Sequence, residues 1–236
     1  MLHDSSRIAA ALTEAAQTIN SHRSLDDTLD AIVRTAQETV PGFEHVGISI
    51  THGNGQIETR AGTGQLVWEI DELQYKLREG PCYEAIRSGG VTIMEDIATE
   101  RRWPRFVDEA ARFGLQAQMG LQLYSDESAL GGLNFYSWQP GIDPDAIQLA
   151  ELFAAHASIA LGRARHEHQL NESVTTRQAI GTAVGIVMER YQIPEDRAFQ
   201  FLVRASSTGN IKLREVAREV VDTANRRFAP CSPDDD

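Results

Sequence analysis

The sequence predicts an α+β chain: an antiparallel sheet flanked by helices, then one long connecting helix, then a C-terminal bundle of three helices. Three patterns carry this. Short stretches alternate apolar and polar residues around hairpin-type turns, as strands adjacent in the chain do. No proline interrupts the chain between Asp145 and Ile193, which leaves room for one very long helix. After Gln192 the apolar spacing becomes that of short amphipathic helices. Helices at both ends of a run of hairpins favour an α+β sandwich over a doubly wound parallel sheet.

Taken in order, Ile8, Leu12, Ala15, Ala16 and Ile19 fall on one helical face, and Leu25, Leu29, Ile32, Val33 and Ala36 on another. Ser24 with Asp27 three residues later makes a capping-box-like start to the second helix. "EHVGISIT" alternates as a half-buried strand, "HGNG" supplies turn residues, and "QIETRAG" is the return strand. A loop-rich stretch follows, ending where Pro81 opens a short helix. "VTIMEDI" is a strand, "WPRFVDEAARFG" a helix closed by Gly114, and "LQAQMGLQLYS" and "ALGGLNFYSW" form a hairpin around "DES". The long helix starts with Asp143 as cap and Pro144 in its first position. Ala150, Ala154, Ala157, Leu161 and Ala164 recur along it at steps of four and three. That stripe suits either a close-packed dimer seam or packing on the sheet. Pro194 opens the next helix, with Ala198, Phe199, Leu202 and Ala205 on one face, and "IKLREVAREVVDTANRRF" is the last, with Asn210 placed to cap it.

Net charge is −12, unevenly spread: residues 173–229 hold nine Lys/Arg against six Asp/Glu. A basic end behind an acidic front suits a polyanion-binding module attached to a domain that repels polyanions. No stretch approaches the ~18 apolar residues of a membrane span, and the polar N-terminus has no signal-peptide pattern. Cys82 and Cys231, with no CxxC, argue against a disulfide framework and for a reducing cytoplasm. His166 and His168 are two apart, wrong for sharing a helical face as metal ligands.

"TTRQAIGTAVGIVMERYQIPEDRAFQFLVRASSTGNIKLREVA" resembles the ANTAR domain, an RNA-binding antiterminator module. The matching positions are Arg177, Gln178, Ile180, Ala183, Gly185 and Met188, then Ala198, Leu202, Ala205, Asn210, Lys212, Leu213, Val216 and Ala217. Two positions depart from the common pattern: Val184 and Ile211 stand where many members carry a polar or basic residue. "LREGPCYEAIRSGGVTIMEDIATERRWPRF" followed by "GGLNFYSWQP" resembles a GAF domain, as in GAF–ANTAR regulators. The resemblance implies a GAF-like sensor over residues 1–165, a helical stalk over 166–174, an ANTAR domain over 175–229 and an acidic tail over 230–236.

It further implies a non-enzymatic, signal-responsive antiterminator, which binds paired stem-loops of leader RNA as a dimer joined through the long helix. The RNA-contact candidates are Arg177, Gln178, Gly181, Thr182, Ala183, Gly185, Arg190, Lys212 and Arg214, with Arg218 one turn beyond. Gly181 and Gly185 each cost about 1 kcal/mol against alanine inside a helix, so they call for a compensating close approach, by a loop backbone or by a packed helix. No cofactor is named. A small-molecule ligand of the GAF domain would be lined by Trp68, Tyr75, Cys82, Met94, Trp103 and Phe106, although aromatics there equally close a core. Two rivals stand beside this reading. "SSTGNIKLREVAREV" could be a DNA-reading helix-turn-helix, but Glu215 and Glu219 would then face phosphates. Methionine sulfoxide reduction, found on some GAF folds, needs several cysteines where this segment has Cys82 alone; a helix N-terminus would favour its thiolate, but a lone buried cysteine is more often inert packing.

Overall fold

The computed structural model describes residues 13–19, 21, 24–125 and 128–226. Ile8, Leu12, the "DE" of the β-hairpin turn, Cys231 and the acidic tail lie outside them. The chain divides into two compact units, Met1–His166 and Glu167–Asp236.

In the first unit, residues 13–19 are helical and α1 spans Leu25–Thr39. Ser24 caps α1 as its spacing predicts: its Oγ accepts from the Asp27 N–H at 3.0 Å and donates to the Asp27 carboxylate at 2.6 Å. Five strands follow: β1 (His45–Thr51), β2 (Ile57–Gly62), β3 (Val91–Met94), β4 (Ala117–Ser125) and β5 (Ser128–Ser137). They form one antiparallel sheet in the order β2-β1-β5-β4-β3. Between β2 and β3 lie α2 (Gln65–Leu77) and α3 (Pro81–Ser88); α4 (Pro104–Ala110) and a short 3-10 turn closed by Gly114 precede β4. The fold is α+β, as predicted.

One element departs from the sequence reading. Residues 65–77, taken as loop, are a helix of 13 residues. Its N-cap is Gly64, which offers no side-chain acceptor, and it ends at Arg78 in the left-handed region. Tertiary packing supplies what the missing cap does not, because Val67 and Ile70 are buried against the sheet.

The period-2 alternation of the strands sets up two different layers. Val46, Ile48 and Ile50 of β1, Met119, Leu121 and Leu123 of β4, and Leu133 and Phe135 of β5 face one core. α1 and the start of the long helix α5 (Pro144–Tyr191) cover that face. The opposite face carries Gly47, Ser49, Gly120, Asn134 and Tyr136, and is covered by α2 and α3. A side chain at Gly120 would sit 2.8 Å from the Pro81 carbonyl oxygen, so glycine there lets α3 lie directly on β4.

α5 settles the alanine stripe. Ala150, Ala154, Ala157 and Leu161 are 0–5% exposed and belong to the sheet-facing core. They are not a dimer seam: small residues here allow close approach of α5 to the strands. The second unit comprises the end of α5, α6 (Glu195–Gly209) and α7 (Leu213–Arg226). They meet around Ala183, Val184, Val187, Ala198, Leu202, Val216 and Ala217. Asn210 sits at φ 51° as the C-cap of α6, not as a cap of α7. Among the described residues, no helix is long and apolar enough to cross a membrane.

Candidate functional site

Two places concentrate chemistry: the exposed surface of the C-terminal bundle, and a polar cluster inside the N-terminal unit.

On the bundle, the 3.6-residue period of α5 divides its residues cleanly. Ala183, Val184 and Val187 point inward, while Arg177, Gln178, Gly181, Thr182, Gly185 and Arg190 are exposed. Ala183 is therefore a packing residue and not a contact residue, since no atom of it reaches solvent. Val184 packs in the same core but its outer edge also lines the groove beside Arg177, Gly181 and Gly185, where an apolar residue stands in place of the polar one many members carry. A methyl added at Gly181 or at Gly185 would meet nothing within 4 Å. The bundle itself does not need these glycines, which removes packing within the unit as their explanation.

Arg177, Gly181 and Gly185 line a groove of about 980 Å³ with Ile180, Val184, Met188, Pro194, Glu195, Asp196 and Phe199. Thr182, Gly185 and Arg190 line a second hollow of about 770 Å³ with Ile186, Glu189, Gln192 and Ala224. Lys212 is exposed at the start of α7, where its carbonyl accepts from the Glu215 and Val216 N–H groups; Arg214 is half-buried. No ion pair holds Arg177, Arg190, Lys212 or Arg214 among the described residues. Exposed aromatics accompany two of them: Phe199, 43% exposed, lines the first groove with Arg177, and Tyr191, next to Arg190 in the chain, has its ring centroid 5.4 Å from that of Phe201.

In the N-terminal unit the six expected pocket liners do not converge. Met94, Trp103 and Phe106 pack into one apolar core with Val67 and Ile70. The Trp103 indole N–H donates to Glu84 at 2.8 Å. Trp68 is 38% exposed. Tyr75 and Cys82 instead join a polar cluster between α2 and the sheet, whose centre, Asp71, sequence reasoning missed.

Asp71 is fully buried. Its Oδ1 accepts from the Tyr136 hydroxyl, from Gln74 Nε2 at 3.3 Å and from Asn134 Nδ2 at 3.4 Å, and its Oδ2 accepts from Thr59 Oγ1 at 2.7 Å. Around it, the Tyr75 hydroxyl meets Ser49 Oγ at 2.5 Å and Thr59 Oγ1 at 3.0 Å, and Ser49 accepts from Asn134 at 3.0 Å. Asn134 Oδ1 has no partner among the described residues. No cation pairs with Asp71 among the described residues, so burial pushes its carboxyl up to about 6 against the pull of the hydroxyl and amide donors. Burial, reinforced by the Asp71 charge, also pushes the Cys82 thiol up. This outweighs any helix-terminus effect and leaves Cys82 a buried packing residue, the second of the two readings its sequence position allows.

Comparison with known families and structures agrees with this geometry. The GAF domain profile matches residues 22–162 and the ANTAR domain profile residues 168–221. Among curated proteins, none matches the chain. Among solved structures, the GAF domain of an Acinetobacter phosphoenolpyruvate-protein phosphotransferase aligns with a TM-score of 0.55 at 16% identity, over 69% of this chain and 98% of its own. The photosensory core module of a Stigmatella aurantiaca phytochrome aligns at 0.56 and 13%, over 81% and 43%. Free methionine-R-sulfoxide reductase from Neisseria meningitidis aligns at 0.54 and 14%, over 67% and 90%. At these identities the likeness is one of fold.

Proposed function

The chain belongs to the GAF family over residues 22–162 and carries an ANTAR domain, an RNA-binding antiterminator module, over residues 168–221; from that premise we propose that it is a signal-responsive antiterminator acting on paired stem-loops of leader RNA. Binding would hold the transcript in a form that excludes the terminator hairpin. GAF and ANTAR domains are regulatory, and the roles proposed here are sensing and RNA binding, carried out in the cytoplasm where transcripts emerge.

The observation that carries the reading is the surface of the ANTAR bundle. Arg177, Arg190 and Lys212 are exposed and unpaired among the described residues, and Arg177 and Arg190 share hollows with glycines that open the helix backbone to an outside partner. Loops of RNA present phosphates and splayed bases, which such a surface suits.

A dimer would bring two bundles to two loops and raise affinity through effective concentration. Its seam would be the outer face of α5, where Leu152, Ile159, Leu170 and Val174 are 50–70% exposed. At 100° per residue these four fall within a sector of about 60°, on the side opposite the sheet-packed alanines.

The test is a salt-titrated binding assay of the full chain against a two-hairpin RNA with six-nucleotide loops, a single hairpin and duplex DNA. Preference for the two-hairpin RNA, a steep salt slope, and uniform weakening by Arg177→Ala or Lys212→Ala are expected. Preference for duplex DNA would replace the antiterminator with a helix-turn-helix regulator.

A further inference from the structure

The RNA reading leaves open what part of a loop the bundle grips, and here the groove between α5 and α6 is informative. We propose that it takes one unstacked base of the loop, its edge turned toward Glu195 and Asp196 and its phosphate toward Arg177. This rests on the RNA reading above.

The lining has three chemistries in one concavity of about 980 Å³. Its floor is apolar, built from Ile180, Val184 and Met188, and it is deepened where Gly181 and Gly185 put no side chain. Phe199, exposed at 43%, is part of the lining and supplies an aromatic ring. Glu195 and Asp196 line the groove, and Arg177 does so as well, with no ion pair among the described residues joining it to them.

Each part rules out a different occupant. The two carboxylates repel a run of phosphates, so the RNA backbone does not lie along the groove. An apolar peptide would leave Glu195, Asp196 and Arg177 facing it without partners. A nucleotide satisfies all three: the flat base covers the apolar floor and stacks on Phe199, its amino group donates to a carboxylate, and its phosphate meets the arginine. Uracil offers a single N3–H between two carbonyl oxygens, which a carboxylate repels, so bases that carry an amino group are preferred over it. The glycines fit this account, because the base reaches the α5 backbone only where no Cβ intervenes.

The test uses the full chain, the two-hairpin RNA, and a series in which each loop nucleotide in turn is made abasic. Gly185→Leu fills the groove, and its folding is checked by thermal melting; Phe199→Ala removes the stacking face as an independent second change. Each variant should weaken binding by roughly tenfold or more. One abasic position should cost the wild type a similar factor yet cost Gly185→Leu nothing further, because the base and the groove act as a pair. Glu195→Gln with Asp196→Asn should relax the preference against uracil at that same position. Wild-type affinity in Gly185→Leu, full additivity at every abasic position, or loss of dimerisation instead of RNA contact would each overturn the proposal while leaving the RNA reading intact. A wild-type chain that binds none of these RNAs would remove the RNA reading itself, and this assignment with it.

Discussion

Replacing Asp71 by asparagine tests the buried cluster directly. A carboxyl held above its ordinary range binds its proton more tightly folded than unfolded. Its contribution is therefore fully favourable below the ordinary value of 3.8, and it declines as pH rises through about 6. At roughly 1.4 kcal/mol per pH unit, that interval costs the folded state on the order of 3 kcal/mol at neutral pH. Asparagine keeps the shape. Its carbonyl can accept from Tyr136, Gln74 and Asn134 where Oδ1 does, and its amide can donate to Thr59 Oγ1, which is free to rotate. Asp71→Asn should then stabilise the GAF domain at pH 7 by up to about 3 kcal/mol, raising its Tm by roughly 6–12 °C. It should also remove most of the fall in stability between pH 4 and 6. Thermal melts of both proteins across pH 4–8, followed by near-ultraviolet circular dichroism, read this out. A variant that melts lower than wild type at pH 7, or that keeps the same pH slope, would refute the claim that an uncompensated buried charge sits there.

Gly131→Ala would place a methyl 1.8 Å from the Ser49 carbonyl oxygen, at φ 157°, and should cost more than about 4 kcal/mol or abolish the soluble fold. Gly132→Ala meets side chain and no backbone, Ile86 at 3.1 Å and Asn134 Oδ1 at 3.6 Å, and should cost much less than Gly131→Ala in the same circular dichroism series. In a Cys231→Ser background, iodoacetamide at pH 8 should modify Cys82 no faster than the GAF domain unfolds, as mass spectrometry of timed aliquots will show, because the thiol is buried and held protonated. Ile159→Glu with Leu170→Glu should shift the proposed dimer to monomer in sedimentation while leaving each chain folded, with a melt that no longer depends on protein concentration, since both side chains are at least half exposed in the single chain.

What was legible in the sequence was its local punctuation. Ser24 with Asp27, Pro81, Gly114, and Asp143 before Pro144 each act through neighbours in the chain, and each marks the boundary its chemistry predicts. The helix at 65–77 was not legible, because Gly64 gives no capping signal and the segment is held by Val67 and Ile70 against a distant sheet. The alternation of β1 and β5 was readable, but its polar half suggests a solvent face. Ser49, Asn134 and Tyr136 instead lie under α2 and α3, where Asp71 gathers them, and no local pattern announces that second cover. The alanines of α5 suited two partners equally, and only the sheet decides between them. At the bundle, helical spacing alone would have moved Ala183 from the contact list to the core, since it falls on the face of Val187 and not on that of Gly181 and Gly185.

The middle of α5 makes a sharper demand on the proposed dimer. Residues 166–175 are helical and exposed without exception. They include Asn171, Ser173, Val174 and Thr175, all weak helix formers. Ten such residues would not stay helical alone in water. In a single chain their order comes from the docked segments on either side, the last contact before them being Arg165 with the Thr51 carbonyl and the first core contact after them Ile180. Hydrogen exchange followed by mass spectrometry separates the two sources of order. In the monomeric Ile159→Glu, Leu170→Glu chain, peptides covering 166–175 should exchange fastest within α5, because opening there breaks few contacts. In the wild type the same peptides should be protected in proportion to the fraction of chain paired, and their exchange should slow as protein concentration rises. Equal protection along all of α5 in the monomer would mean that the segment is held within its own chain, and the exposed stripe of Leu152, Ile159, Leu170 and Val174 would lose its assignment as a seam.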